Sequence, residues 1–131
     1  MNDTELKQRT KLFALRVIRL VDSLPRKLSA EVVGPQLLRS GTSVAANYRS
    51  ACRARSHADF IAKMGIVEEE ADESVLWLER LAEAGIVPQS KLGGLAEEAS
   101  SLTAIAVASI RTAKQRAQQI RSPKFAARNR P

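Results

Sequence analysis

The chain has 131 residues and one cysteine, with 44% hydrophobic and 27% charged residues. This is the make-up of a single globular domain that can bury a core without disulfides or a structural metal. Aromatic residues contribute only 4%, which favours packed helices over a β-sandwich, and the net charge of +7 points to anionic partners, nucleic acid before an acidic protein or a lipid surface.

A lone Cys52 forms no intrachain disulfide and fits a reducing, cytoplasmic compartment. The opening MNDTELKQRTK is too polar for a secretory signal. No apolar run reaches the ~20 residues of a membrane span, so no membrane partner is expected.

Asn2 or Asp3 can cap a first helix on which Leu6, Thr10, Phe13, Val17, Leu20 and Leu24 recur at three- and four-residue steps. Leu12, Leu15 and Ile18 fall on a different face, and a two-sided apolar helix in a small domain implies a second contact beyond its own bundle. Ser23-Leu24-Pro25 ends this helix, because the residue before proline is pushed out of the α region. Ser29 is the next N-cap candidate. Gly34-Pro35 predicts a break or kink, with Pro35 opening a fresh helix that runs to about Ala54.

That second helix carries two parallel stripes. Leu37, Gly41, Val44, Tyr48 and Ala51 make an apolar one. Gln36, Ser40, Ser43, Asn47 and Ser50 make a polar one about 100° away round the helix. So close to the core side, the polar stripe suggests helix packing with buried hydrogen bonds to carboxylates of the third helix. Arg53-Ala54-Arg55-Ser56-His57 forms the next corner, where Ser56 and Asp59 fit a variant capping box.

The third helix places Phe60, Met64, Val67, Ala71, Val75, Leu78 and Ala82 on one face. Ile66 and Trp77 lie nearly in line on a neighbouring face, and Gly85 suits the position just past the helix end. Ser90 caps a fourth helix in which Leu95, Ala99, Leu102, Ala106, Ile110, Ala113, Ala117 and Ile120 keep the period. Pro123 ends the pattern. Residues 1–122 are therefore expected to form an antiparallel up-down-up-down four-helix bundle, and 123–131 a basic, disordered tail.

Charge is unevenly spread. Residues 1–66 carry +7, residues 67–99 carry −7 and residues 100–131 carry +7. Two cationic groups are candidates for nucleic-acid contact. Arg49, Arg53 and Arg55 form one, at the corner. Arg111, Lys114, Arg116, Arg121, Lys124, Arg128 and Arg130 form the other, along the last helix and tail. Such contacts would be dominated by phosphates, salt-dependent and little concerned with sequence.

Catalytic constellations are not found. The run Glu68-Glu69-Glu70 with Asp72 and Glu73 points its carboxylates to different helix faces. With His57 the sole histidine, the Glu-x-x-His pairs of a di-iron bundle are missing. No nucleophile elbow or phosphate-binding loop occurs. Cys52, beside Tyr48 on the helix, reads as packing. Neither an enzyme nor a metal or cofactor is expected.

The run Gln-Leu-Leu-Arg-Ser-Gly-Thr-Ser-Val-Ala-Ala-Asn at 36–47, then Ala54-Arg55-Ser56 with Asp59-Phe60-Ile61, then an acidic helix with Glu73-Ser74 and Trp77-Leu78-Glu79, resembles the four-helix-bundle family of 23S rRNA intervening-sequence proteins. The resemblance extends over about 11–117. Gln36, Arg39, Ser40, Ser43, Asn47, Arg55, Ser56, Phe60, Glu69 or Glu70, and Glu73 carry it. Many members have Asn-Ile-Ala-Glu-Gly where this chain has Asn47-Tyr48-Arg49-Ser50-Ala51, so an acid is lost at the basic corner.

The resemblance implies a bundle that assembles as a ring, a homopentamer. It also implies similarity to the accessory variability determinant of diversity-generating retroelements, which binds nucleic acid and a reverse transcriptase. Two functions are consistent with all this: a ring that binds RNA or DNA electrostatically, and an adaptor that recruits a protein partner such as a nucleic-acid enzyme. Leu15, Ile18, Ile66 and Trp77 are the expected contacts between subunits.

Overall fold

The structure, a computed structural model, describes residues 1–121. Four helices make up the fold: α1 (Asp3–Asp22), α2 (Leu28–Ala51), α3 (His57–Glu83) and α4 (Gln89–Arg121). Each packs on the next, and α4 returns to α1 through the slightest of the four seams. The bundle is antiparallel because connections of about five residues leave no room for a crossover. The expected tail at 123–131 lies outside the described residues.

The helix ends at Asn2, Ser56 and Gly85 follow their sequence signals, whereas α4 begins at Gln89, so Ser90 lies inside the helix instead of capping it. The Asn2 side chain accepts from the Glu5 N–H at 2.9 Å, and the Ser56 hydroxyl accepts from the Asp59 N–H at 3.0 Å. The Asp59 carboxylate accepts from Lys63 instead of returning to Ser56, so the second half of the capping box is not made. Gly85, at φ +69°, lets the chain turn back on α3. Its N–H donates to the Ala82 carbonyl and that of Ile86 to the Leu81 carbonyl, the pairing of a Schellman motif.

At Gly34-Pro35 the expectation of a break fails. The helix α2 is continuous from Leu28 to Ala51, capped by Lys27 with no side-chain bond rather than by Ser29, and Pro35 lies inside it. The proline faces solvent, while Ala30 and Gly34 are buried. Gly34 sits against Val21 of α1 and Leu24 of the connection that follows it. Burial of Ala30 and Gly34 before the proline and of Leu37 after it carries the helix through a residue that withholds one hydrogen bond.

Phe13, Val17, Leu37, Val44, Met64, Ala71, Leu78, Leu81, Leu92, Ala99 and Leu102 form the centre of the core. α1 and α2 come closest at Gly41, where a methyl group would meet both Val17 γ-carbons at 2.8 Å. Ser40 and Ser74, both fully buried, share a hydroxyl–hydroxyl bond of 2.9 Å across the α2–α3 contact. Ser74 also bonds to the Glu70 carbonyl of its own helix.

The polar stripe of α2 therefore does not reach the α3 carboxylates as expected. Asn47 bonds back to Ser43, at 2.9 Å to the carbonyl and 2.8 Å to the hydroxyl. Arg39, outside that stripe, takes the carboxylates: it pairs with Glu70 at 3.1 Å and with Glu73. Ser40 crosses to α3 but meets the Ser74 hydroxyl, whereas the longer arginine reaches the carboxylates beyond.

Along α4 the core side runs through Leu92, Leu95, Ala99, Leu102, Ala106 and Ala113. Beyond that it loses its partner, and Ile120 is 53% exposed. With 33 residues in α4 against 20 in α1, about 50 Å faces about 30 Å. The end of α4 stands clear of the bundle.

Candidate nucleic-acid interface

Antiparallel topology brings the last turns of α2 and α4 to the same end of the bundle, beside the first turns of α1 and α3. The two cationic groups, about sixty residues apart in sequence, meet there. Four of their members line two grooves, Arg49 and Arg53 one and Arg55 and Arg116 the other.

The first groove runs between α1 and α2. Arg49 and Arg53 line it together with Lys7 and Lys11, over a floor that includes Ala14, Leu15, Ala45 and Ala46. It holds about 430 Å³ and no carboxylate lines it. The second opens at the α2–α3 corner and holds about 840 Å³. Arg55 enters it from the corner and Arg116 from α4, with Phe60 and Ile105 on its walls. Among the described residues none of these six cations forms an ion pair within 4 Å.

Arg111 and Lys114 are exposed on α4 and line neither groove. Arg121 is the last residue of α4. Lys124, Arg128 and Arg130 lie outside the described residues.

Lys7 and Lys11 were not singled out from the sequence. Their signal was there: one turn apart, and one turn before Leu15 on the same strip of α1. Arg9, by contrast, points the other way and clasps α1 to α4. Its guanidinium donates to Glu98 at 2.5 and 3.1 Å and to Ser101 at 3.1 Å. The bonds to Glu98 raise its pKa further.

Near the basic end, Tyr48 is buried, and its hydroxyl lies 3.5 Å from Asp3. Burial, and then its contact with Cys52, pushes the phenol above its ordinary range and keeps it protonated. Cys52 itself is half-buried. Among the described residues no three His, Cys, Asp or Glu side chains converge as a metal site would need, and no described helix is long and apolar enough to cross a membrane. Guanidinium and ammonium groups rimming shallow apolar floors can hold phosphates by charge-assisted hydrogen bonds.

The four expected contact residues fall on two sides of the molecule. Leu15 lines the basic α1–α2 groove, and Ile18, half-buried, follows it one turn on. Trp77 lies on the α2–α3 side. It is half-buried, packs against the core, and donates from its indole to Glu73 at 3.2 Å. Ile66 stands in line with it and is 39% exposed. Carboxylates flank this second pair where lysines and arginines flank the first.

Among curated proteins none matches the chain. A solved structure does: a protein of unknown function from the S23 ribosomal protein family of Bacteroides thetaiotaomicron, known from a crystal structure at 1.70 Å. It is 32% identical and superposes with a TM-score of 0.79, over 85% of this chain and 99% of its own. The family model described as 23S rRNA-intervening sequence protein matches residues 2–108. That span holds the core of all four helices, the serine pair and the arginine corner, and the chain belongs to the 23S rRNA-intervening sequence protein family.

Proposed function

We propose that this protein is a non-enzymatic, ring-forming bundle, a homopentamer as its resemblance implies, that holds nucleic acid on its basic end. The observation that carries this reading is the convergence of Lys7, Lys11, Arg49, Arg53, Arg55 and Arg116 at one end, unpaired among the described residues. Cations held for solubility alone would be spread among acids. Here Asp59 at this end of α3 is taken by Lys63, and the other α3 carboxylates lie further along the helix and are partly used by Arg39. Membership of a family named for 23S rRNA supports RNA as the anion.

The ring reading is supported by the two unlike apolar sides. A two-fold dimer uses one self-complementary patch. A basic side with Leu15 and Ile18 and an acidic side with Ile66 and Trp77 suit head-to-tail packing, which closes into a ring, covers the Leu15 end of the α1–α2 groove and leaves the corner groove, with Arg55 and Arg116, open to nucleic acid.

Titration of labelled RNA and DNA against salt tests the nucleic-acid reading. Affinity is expected to fall steeply with salt, and Arg49→Glu with Arg53→Glu to flatten that dependence. Binding that ignores salt at low ionic strength overturns it. A second reading, an adaptor for a protein partner, draws on the exposed Leu12, Leu76 and Val107. Capture of one protein in unchanged amount after nuclease treatment would favour it.

A further inference from the structure

We infer, resting on the nucleic-acid reading above, that the groove at the α2–α3 corner is a pocket for one unstacked nucleotide of a single strand. Its base lies on the apolar floor and its phosphate between Arg55 and Arg116. The two grooves at the basic end differ in kind. Lys7, Lys11, Arg49 and Arg53 make a run of charge that any phosphate backbone could follow. The corner groove is about twice as large, at about 840 Å³, which is within the range of small-molecule sites.

Its size has a cause in the sequence. Small residues occupy α4 where it passes the corner, and Phe60 and Ile105 form apolar walls. A site for phosphate alone needs cations on an open surface. A recess with an aromatic wall beside two guanidinium groups matches a base joined to its phosphate, and base–aromatic stacking is indifferent to which base enters.

Polar groups complete the match. Ser109 and Thr112 line the groove one turn apart. Thr10, Thr42 and Thr103 each bond back to the carbonyl of their own helix. Ser109 and Thr112 have no such bond among the described residues, so their hydroxyls are available to a base edge, as donor or acceptor. The one carboxylate on the wall, Asp3, faces the Tyr48 hydroxyl at 3.5 Å. Bases in a duplex are stacked and cannot enter, so the pocket selects single strands.

The test uses the full chain, with fluorescence polarisation of a labelled mixed-sequence single strand and of the matching duplex, each as RNA and as DNA. The single strand is expected to bind about tenfold more tightly than the duplex, the scale of one stacked base. Ala108→Trp fills the recess from an exposed position of α4. It is expected to abolish that preference while leaving duplex affinity and its salt dependence unchanged. Phe60→Leu, which keeps apolar volume but removes the aromatic plane, should lower single-strand affinity in the same sense.

Adenosine monophosphate should compete, and inorganic phosphate at matched ionic strength should not. Equal binding of single strand and duplex, or an Ala108→Trp variant that weakens both alike, overturns the pocket and leaves the electrostatic reading standing. Absence of binding to every probe overturns both.

Discussion

One hydrogen at Gly41 sets how closely α1 and α2 approach. A methyl group there would lie 2.8 Å from Val17, whose side chain is fully buried. Gly41→Ala is expected to destabilise the fold by about 1–3 kcal/mol, the range for overpacking a tight core, as read from denaturant unfolding. In a Val17→Ala background the added methyl should cost less, because the clashing γ-carbons are gone. The buried Ser40–Ser74 pair offers a second test. Either change to alanine should cost about 1 kcal/mol, and the double change clearly less than the sum. Strict additivity would show that the hydroxyls do not hold α2 to α3. Ser40 could be marked from sequence as a polar residue near the core. Its partner could not, since Ser74 sits among the apolar residues of α3 and only the register of two packed helices sets them face to face.

At the level of helices, caps and apolar spacing were readable because they depend on neighbours three or four residues away. Asn2, Ser56 and Gly85 act where their types place them. Pro35 misled because burial decided against local preference: Gly34 packs under Val21 and Leu24, and Ala30 is buried. An exposed proline inside a helix is a removable cost. Pro35→Ala is expected to raise stability by about 1–3 kcal/mol, measured as a higher denaturant midpoint with unchanged slope. A fall would mean that the proline shapes α2 for a contact outside the single chain. The Arg9–Glu98 clasp was also out of reach, since 89 residues separate its partners and neither lies in a motif. It closes the thinnest seam of the bundle, between α1 and α4.

For the molecule as a whole, the candidate cations were legible as residue types and their grouping was not. Arg55 and Arg116 share a groove only because α2 and α4 finish at the same end, and Arg49 and Arg53 turn instead toward Lys7 and Lys11. The apolar contact residues likewise sorted into two sides only in three dimensions. That division predicts how subunits join. Leu15→Lys spoils the basic side and Ile66→Asp the acidic side, so in head-to-tail packing each variant alone should be monomeric by light scattering. Mixed, they should form a dimer through the one intact pair of sides. A mixture that stays monomeric, or variants that assemble unmixed, rules out this arrangement.

Both basic grooves lie at the end where α1 begins and α4 finishes. Head-to-tail closure keeps every subunit pointing the same way along the axis. A ring built so has two unlike rims: one repeats the corner groove, and the other repeats the turns at Pro25 and Pro88. A strand held by one subunit then meets the next groove at an effective concentration in about the millimolar range. Sites too weak to retain a strand singly would hold it together, leaving the opposite rim free for a different partner.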